Sequence, residues 1–290
     1  MLMNMVDLLA PAYKNGFAVG SYNVSNSEFV EAIIAAAEEK KAPAIIQIHP
    51  DEIGYTGNSF PAYIREAVNK TRIPMAIHVD HGATMQDIVQ GIQNGYSSVM
   101  IDASAKPWEE NIALTKSVVD IAHMVGVSVE AELGTIGSNE LSVDNNGVNE
   151  ILYTKPEDAK TFVEKTGVDT LAVAIGTRHG KYAHVEKPEL RIDLLEEIHE
   201  AVDIPLVLHG GSDNKDSEIS KTYKHGVAKI NLSTDMKNAF FKQLRKTLED
   251  KPDDWEPNVL FPDARKAAKE MVMQKMDLFQ STDKLKYYKL

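Results

Sequence analysis

The 290-residue chain has no cysteine, which excludes disulfides and thiolate metal ligands. Any metal must therefore be held by histidine and carboxylate. The same absence fits a reducing cytoplasm, the expected location. Positive charge is scarce: 31 Lys and Arg stand against 43 Asp and Glu, for a net charge of −12. With no basic stripe, nucleic acid and anionic membrane are excluded as partners. No run approaches the ~20 apolar residues that a membrane span requires. Met1-Leu2-Met3-Asn4-Met5 lacks the charged region and apolar core of a signal peptide.

What is present is ordinary for a globular protein with a large core: 43% hydrophobic and 26% charged residues. Short apolar runs alternate with amphipathic ones. Strands are expected at Phe17–Tyr22, Pro43–Ile48, Pro74–Asp80, Ser97–Ile101, Val127–Glu132, Thr170–Ile175, Pro205–Leu208 and Ala228–Ile230. Helical periodicity intervenes at Ser27–Lys41, Ala62–Lys70, Met85–Asn94, Trp108–Met124, Asp158–Lys165, Ile192–Ala201 and Ser217–Lys224, and continues at Asp235–Glu249 and Pro262–Leu278. Eight such alternations predict a single-domain (β/α)8 barrel over residues 1–290, a TIM barrel of the α/β class. Residues 134–154, rich in Gly, Asn, Ser and Asp, are expected to form a mobile active-site loop, and 262–290 a C-terminal helical segment.

Chemistry gathers at the strand ends. Ala76-Ile77-His78-Val79-Asp80-His81-Gly82 runs from apolar strand into Asp, His and Gly. The sixth strand is followed by Thr177-Arg178-His179-Gly180 and the seventh by His209-Gly210-Gly211-Ser212. Strict alternation would put Asp80 and His81 on opposite faces unless the chain has begun to turn, and Gly82 is expected to supply that turn. Three histidines on one rim satisfy the plan of a catalytic zinc, with three protein ligands and one open position. Asp102 and Glu132 end the fourth and fifth strands, as partners orienting a metal-bound imidazole or as ligands of an alternative metal position. Glu130 is expected in a salt bridge inside the barrel. Gly210-Gly211-Ser212 and Asn231-Leu232-Ser233-Thr234-Asp235 each precede a helix, where unpaired N–H groups suit a phosphate.

At these residues, and over nearly the whole chain, the sequence resembles the class II, zinc-dependent ketose-bisphosphate aldolases, which include fructose- and tagatose-bisphosphate aldolases. The matching motifs are His78-Val79-Asp80-His81-Gly82, Val129-Glu130-Ala131-Glu132-Leu133-Gly134, Ala174-Ile175-Gly176-Thr177-Arg178-His179-Gly180, His209-Gly210-Gly211-Ser212 and Asn231-Leu232-Ser233-Thr234-Asp235. The resemblance implies His81, His179 and His209 as zinc ligands, with Asp102 and Glu132 at a second divalent or monovalent cation position. It implies Asp80 as the acid–base residue at the C4 oxygen and Glu140, in the loop, as the group handling the C3 proton. Gly180, Gly210, Gly211, Ser212, Asn231, Ser233 and Thr234 match the dihydroxyacetone phosphate site, and Asn23, Gln47 and His49 are the remaining substrate-binding candidates.

The implied reaction is reversible cleavage of fructose 1,6-bisphosphate to dihydroxyacetone phosphate and glyceraldehyde 3-phosphate, by a homodimer or homotetramer. Tagatose bisphosphate or another phosphorylated ketose is the alternative. A non-catalytic sugar-phosphate-binding barrel and a metal-free isomerase are alternatives of other classes. Departures from the family pattern cluster on the aldehyde half: Gln47-Ile48-His49-Pro50-Asp51-Glu52 replaces Gln-x-Ser, Arg178 a small residue, Ala103 a Gly, and Asp213-Asn214-Lys215 a Gly-containing turn.

Overall fold

The computed structural model describes residues 1–138, 151–182 and 187–289. Eight parallel strands close into a barrel in chain order: β1 (Val19–Asn23), β2 (Ala44–Ile48), β3 (Met75–Gly82), β4 (Ser98–Ile101), β5 (Ser128–Leu133), β6 (Thr170–Val173), β7 (Leu206–Leu208) and β8 (Val227–Leu232), which returns to β1. Their residues are buried throughout except at His81, as expected of parallel strands covered on both faces. Helices pack outside. The helix Ser27–Lys40 starts at Asn26, whose side chain accepts the Phe29 N–H at 3.0 Å, and buries Phe29, Val30, Ile33 and Ala37. It packs against the helix Pro262–Leu278, which contributes Ala264, Ala268, Val272 and Met276 to the same core.

A helix the periodicity did not reveal, Met5–Asn15, closes the N-terminal end of the barrel. Asn4 caps it, and Met5, Leu8, Leu9 and Ala12 form an apolar plug with Val19, Ile45, Ala76 and Ala228. Pro11 within it masks the helical pattern. With that end sealed by hydrocarbon, polar chemistry is confined to the C-terminal rim.

The sixth strand is shorter than expected, ending at Val173 rather than Ile175. Beyond it, Ala174 exchanges backbone and side-chain hydrogen bonds with Thr154, at 3.1 and 2.8 Å, instead of continuing the barrel. His179 therefore does not end a barrel strand. It lies in a two-residue strand, Arg178–His179, paired in parallel with Gly137–Ser138 above the rim. Among the described residues, no helix is long and apolar enough to cross a membrane.

Candidate active site

His81 takes a left-handed backbone conformation, φ 48°. The chain thus turns one residue earlier than expected, and both Asp80 and His81 line one pocket. Gly82 has a different reason to be glycine: a Cβ there would lie 2.8 Å from the Met100 carbonyl of β4.

Asp80 is buried and held by three amides. Asn23 Nδ2 and Gln47 Nε2 donate to Oδ2 at 2.8 and 3.1 Å, and Asn231 Nδ2 donates to Oδ1 at 3.1 Å. Gln47 also donates to Asn23 Oδ1 at 2.7 Å, which fixes the orientation of both amides. His81 Nε2 approaches Oδ1 at 3.9 Å.

Three imidazoles converge beside it. Ring centroids of His81 lie 5.1 Å from His179 and 4.6 Å from His209. His81 Nδ1 bonds Asp102 Oδ2 at 2.8 Å, and Ser104 donates to the other Asp102 oxygen from its N–H and hydroxyl at 3.1 and 2.7 Å. His209 Nε2 bonds Glu130 Oε1 at 2.9 Å, and Glu130 is gripped by Lys229 Nζ at 2.8 and 2.9 Å, wholly inside the barrel. The expected salt bridge of Glu130 is therefore present, with the further consequence of orienting a histidine.

The other nitrogen of each bonded ring makes no hydrogen bond. His81 Nε2, His209 Nδ1 and Glu132 Oε2 are buried and make no hydrogen bond, although His209 Nδ1 approaches Glu132 Oε2 to 2.9 Å. Unpartnered buried acceptors are costly unless something binds them. Ligand atoms of His81, His179 and His209 lie within 4.8 Å of one another, as do those of His81, Asp102 and Glu132. Imidazole and carboxylate without thiolate suit zinc. The residues fit the ion, and the two sets share His81.

Electrostatics point the same way. Burial alone would depress the His81 imidazole, but the carboxylates of Asp80, Asp102 and Glu132 hold it well above its usual value. Burial opposes ionisation of Asp102 too, yet His81 and Ser104 keep its carboxyl well below the usual range. A negative cavity surrounds the imidazoles, as a bound cation requires.

On the far side, Gly180, Gly210, Ser212, Ser233 and Thr234 line the same pocket. Gly210 has φ 62°, and a Cβ on it would meet the Arg178 carbonyl at 2.6 Å, so glycine is required there. Ser212 Oγ accepts the N–H groups of Ser233 and Asp235 at 3.3 and 3.4 Å, so these donors already point at one spot. Gly211 differs from its neighbours: its N–H is engaged by the Asn231 carbonyl at 3.0 Å. His49 caps the helix Pro50–Thr56, its Nδ1 accepting the Asp51 N–H at 3.2 Å, with its ring 6.3 Å from that of His81. Glu140 lies outside the described residues, as do the neighbouring loop positions 139–150.

Long-range partners escaped the sequence reading. Asp213, at φ 57° where the family has a Gly-containing turn, accepts the Tyr182 N–H at 2.9 Å and pairs with Lys187 at 2.7 Å. It holds Tyr182 and Lys187 at the turn after β7. Glu52, 6% exposed, pairs with Lys237 at 2.5 Å and lies 3.4 Å from Asn23 Nδ2.

A parallel (β/α)8 barrel with histidines and carboxylates gathered on its C-terminal rim has the architecture of a barrel enzyme, and the family it belongs to makes it an aldolase, a lyase. The chain belongs to the class II fructose-bisphosphate aldolase family, whose model matches residues 3–284. It is 41% identical over 286 residues to the probable fructose-bisphosphate aldolase of Bacillus subtilis, covering 97% of this chain and 99% of that protein. Among solved structures it resembles the YdjI aldolase of Escherichia coli K12, with TM-score 0.86, 35% identity and coverage of 98% and 99% of the two chains. A putative fructose-1,6-biphosphate aldolase from Coccidioides immitis gives TM-score 0.87 and 31% identity over 98% of each chain.

Proposed function

We propose that this chain catalyses the zinc-dependent, reversible aldol cleavage of a phosphorylated ketose to dihydroxyacetone phosphate and an aldehyde, with fructose 1,6-bisphosphate as the leading substrate. The carrying observation is Asp80, fixed by three amides next to three converging imidazoles in a pocket also lined by Gly210, Ser212, Ser233 and Thr234. Tagatose bisphosphate, or another phosphorylated ketose built on a different aldehyde, is the second reading; the buried Glu52 carboxylate near Asp80 favours a different aldehyde. The absence of cysteine supports a reducing compartment such as the cytoplasm.

Zinc held by His81, His179 and His209 would supply the electron sink, polarising the ketose carbonyl. Asp102 and Glu130 hold two of those imidazoles in the required tautomer. Gly180, Gly210, Ser212, Ser233 and Thr234 receive the C1 phosphate at two helix-leading turns, with Gly211 held behind them by the Asn231 carbonyl. Asn231 lies between that phosphate and Asp80. Asp80 accepts the proton of the C4 hydroxyl as the C3–C4 bond breaks, and the bonding pair stays with C3. Glu140 then returns a proton to C3. Synthesis runs these steps backwards.

Cleavage and C–H exchange of dihydroxyacetone phosphate in deuterium oxide, measured on Asp80→Ala, test this assignment. Cleavage of the ketose phosphate falls by about 10²–10⁴-fold while exchange survives. Cleavage at the wild-type rate would contradict the role of Asp80.

A further inference from the structure

The proposed chemistry leaves one buried ionic group at the rim without a role. Glu52 follows β2 on the helix Pro50–Thr56, and Lys237 follows β8 on the helix Thr234–Asp250. Their 2.5 Å ion pair spans the end of β1, where Asn23 reaches both Asp80 and Glu52. The polarity of the pocket identifies which end this is. A substrate with its C1 phosphate at Gly210, Ser212 and Ser233 and its C4 oxygen at Asp80 must direct its remaining carbons away from β7 and β8. They then run toward Asn23, His49 and Glu52.

That end is unsuited to a second phosphate. Pro50 has no N–H, and the Asp51 N–H is engaged by His49 Nδ1 at 3.2 Å. The His49 N–H is engaged by Glu52 Oε2 at 3.1 Å, and the Glu52 N–H by the His49 carbonyl at 2.9 Å. The helix start that might have cradled an anion is already capped. Its first turn also carries two carboxylates, Asp51 and Glu52. Lys237 is the cation at hand, and Glu52 neutralises it. The Arg178 backbone packs against Gly210, at the phosphate end. The cavity from Asn23 to Thr234 that leads to this end has neither lysine nor arginine among its described lining residues, and stretches 139–150 and 183–186 contain neither in their sequence.

We propose that Glu52 and Lys237 fix the aldehyde end of the pocket for an unphosphorylated, hydroxyl-bearing acceptor, so that the ketose handled carries phosphate at C1 alone. A carboxylate that accepts hydrogen bonds suits hydroxyl groups, and the same charge placed against a phosphate dianion is strongly unfavourable. The inference rests on the aldolase reading of the site and narrows its substrate class, displacing fructose 1,6-bisphosphate in favour of a ketose 1-phosphate.

The test is condensation of dihydroxyacetone phosphate with D-glyceraldehyde and with D-glyceraldehyde 3-phosphate, on the zinc-loaded protein and on Glu52→Gln. Deuterium exchange of dihydroxyacetone phosphate alone is followed in parallel. The expected wild-type kcat/KM favours D-glyceraldehyde by about tenfold or more. Glu52→Gln releases Lys237 and shifts the ratio toward the phosphorylated aldehyde by a similar factor. A wild-type preference for D-glyceraldehyde 3-phosphate with exchange intact overturns this inference and leaves the aldolase reading standing. An unshifted ratio in a folded Glu52→Gln protein overturns the role of Glu52. Absence of both exchange and condensation in the wild type overturns the aldolase reading, and this inference with it.

Discussion

His81 Nδ1 and Asp102 Oδ2 lie 2.8 Å apart, and this contact decides which nitrogen of the ring faces the pocket. Glu130 does the same for His209 through the opposite ring nitrogen. Both imidazoles are thereby fixed before any ion arrives. A ring free to rotate or change tautomer would have to be ordered on binding.

Replacement of Asp102 by Asn keeps the shape and removes the charge. Zinc affinity should fall by about 10–100-fold, read by competition with a fluorescent chelator. Cleavage should return toward wild type as free zinc is raised. An unchanged affinity would mean that Asp102 does not orient His81.

The pair Lys229–Glu130 is completely buried. Burial resists charge on Glu130, and Lys229, His78 and His209 more than offset it, holding the carboxyl well below the ordinary range. Lys229→Met strands that charge, so unfolding in urea should show a loss of about 3–5 kcal/mol. Lys229→Met combined with Glu130→Leu should recover much of the stability but not the zinc affinity, because His209 Nε2 then has no acceptor. Recovery of both would reduce Glu130 to a structural residue.

His78 makes the acid limb of the stability curve steeper. It is fully buried, and burial, helped by the Lys229 charge, lowers its imidazole to about 3. An unfolded histidine takes up its proton near pH 6.5 and the folded one refuses it until far lower pH. The unfolded state therefore binds more protons throughout that window, and stability is lost as the pH falls below about 6.5. In metal-free protein between pH 7 and 5, His78→Gln should flatten the curve by up to about 1.4 kcal/mol per pH unit. Parallel curves for the two proteins would contradict this.

The sequence made the fold and half of the rim legible for a physical reason. Strand–helix alternation is local, and a histidine followed by glycine at the end of an apolar run marks where a chain leaves a barrel. His81 and His209 carry that mark correctly. His179 carries it too, yet stands past the end of β6, because the Thr154–Ala174 bonds that terminate the strand come from a segment distant in sequence. Glu52–Lys237 and Glu130–Lys229 are separated by 185 and 99 residues, and no local periodicity encodes such pairs. Lys229 within Val227-Ala228-Lys229-Ile230 was the one available hint, since a lysine in a buried strand demands a buried carboxylate. The plug helix Met5–Asn15 was hidden by Pro11, although Asn4 three residues before Asp7 is an N-cap signature.

The most direct measurement is the zinc content and cleavage rate of His179→Ala beside the wild type, after equilibration with buffered zinc. The account predicts one zinc per chain and cleavage in the wild type. The variant should keep its fold by circular dichroism, hold no stoichiometric zinc and cleave no ketose phosphate. A folded His179→Ala protein that retained one zinc per chain and turned over normally would contradict the three-histidine centre.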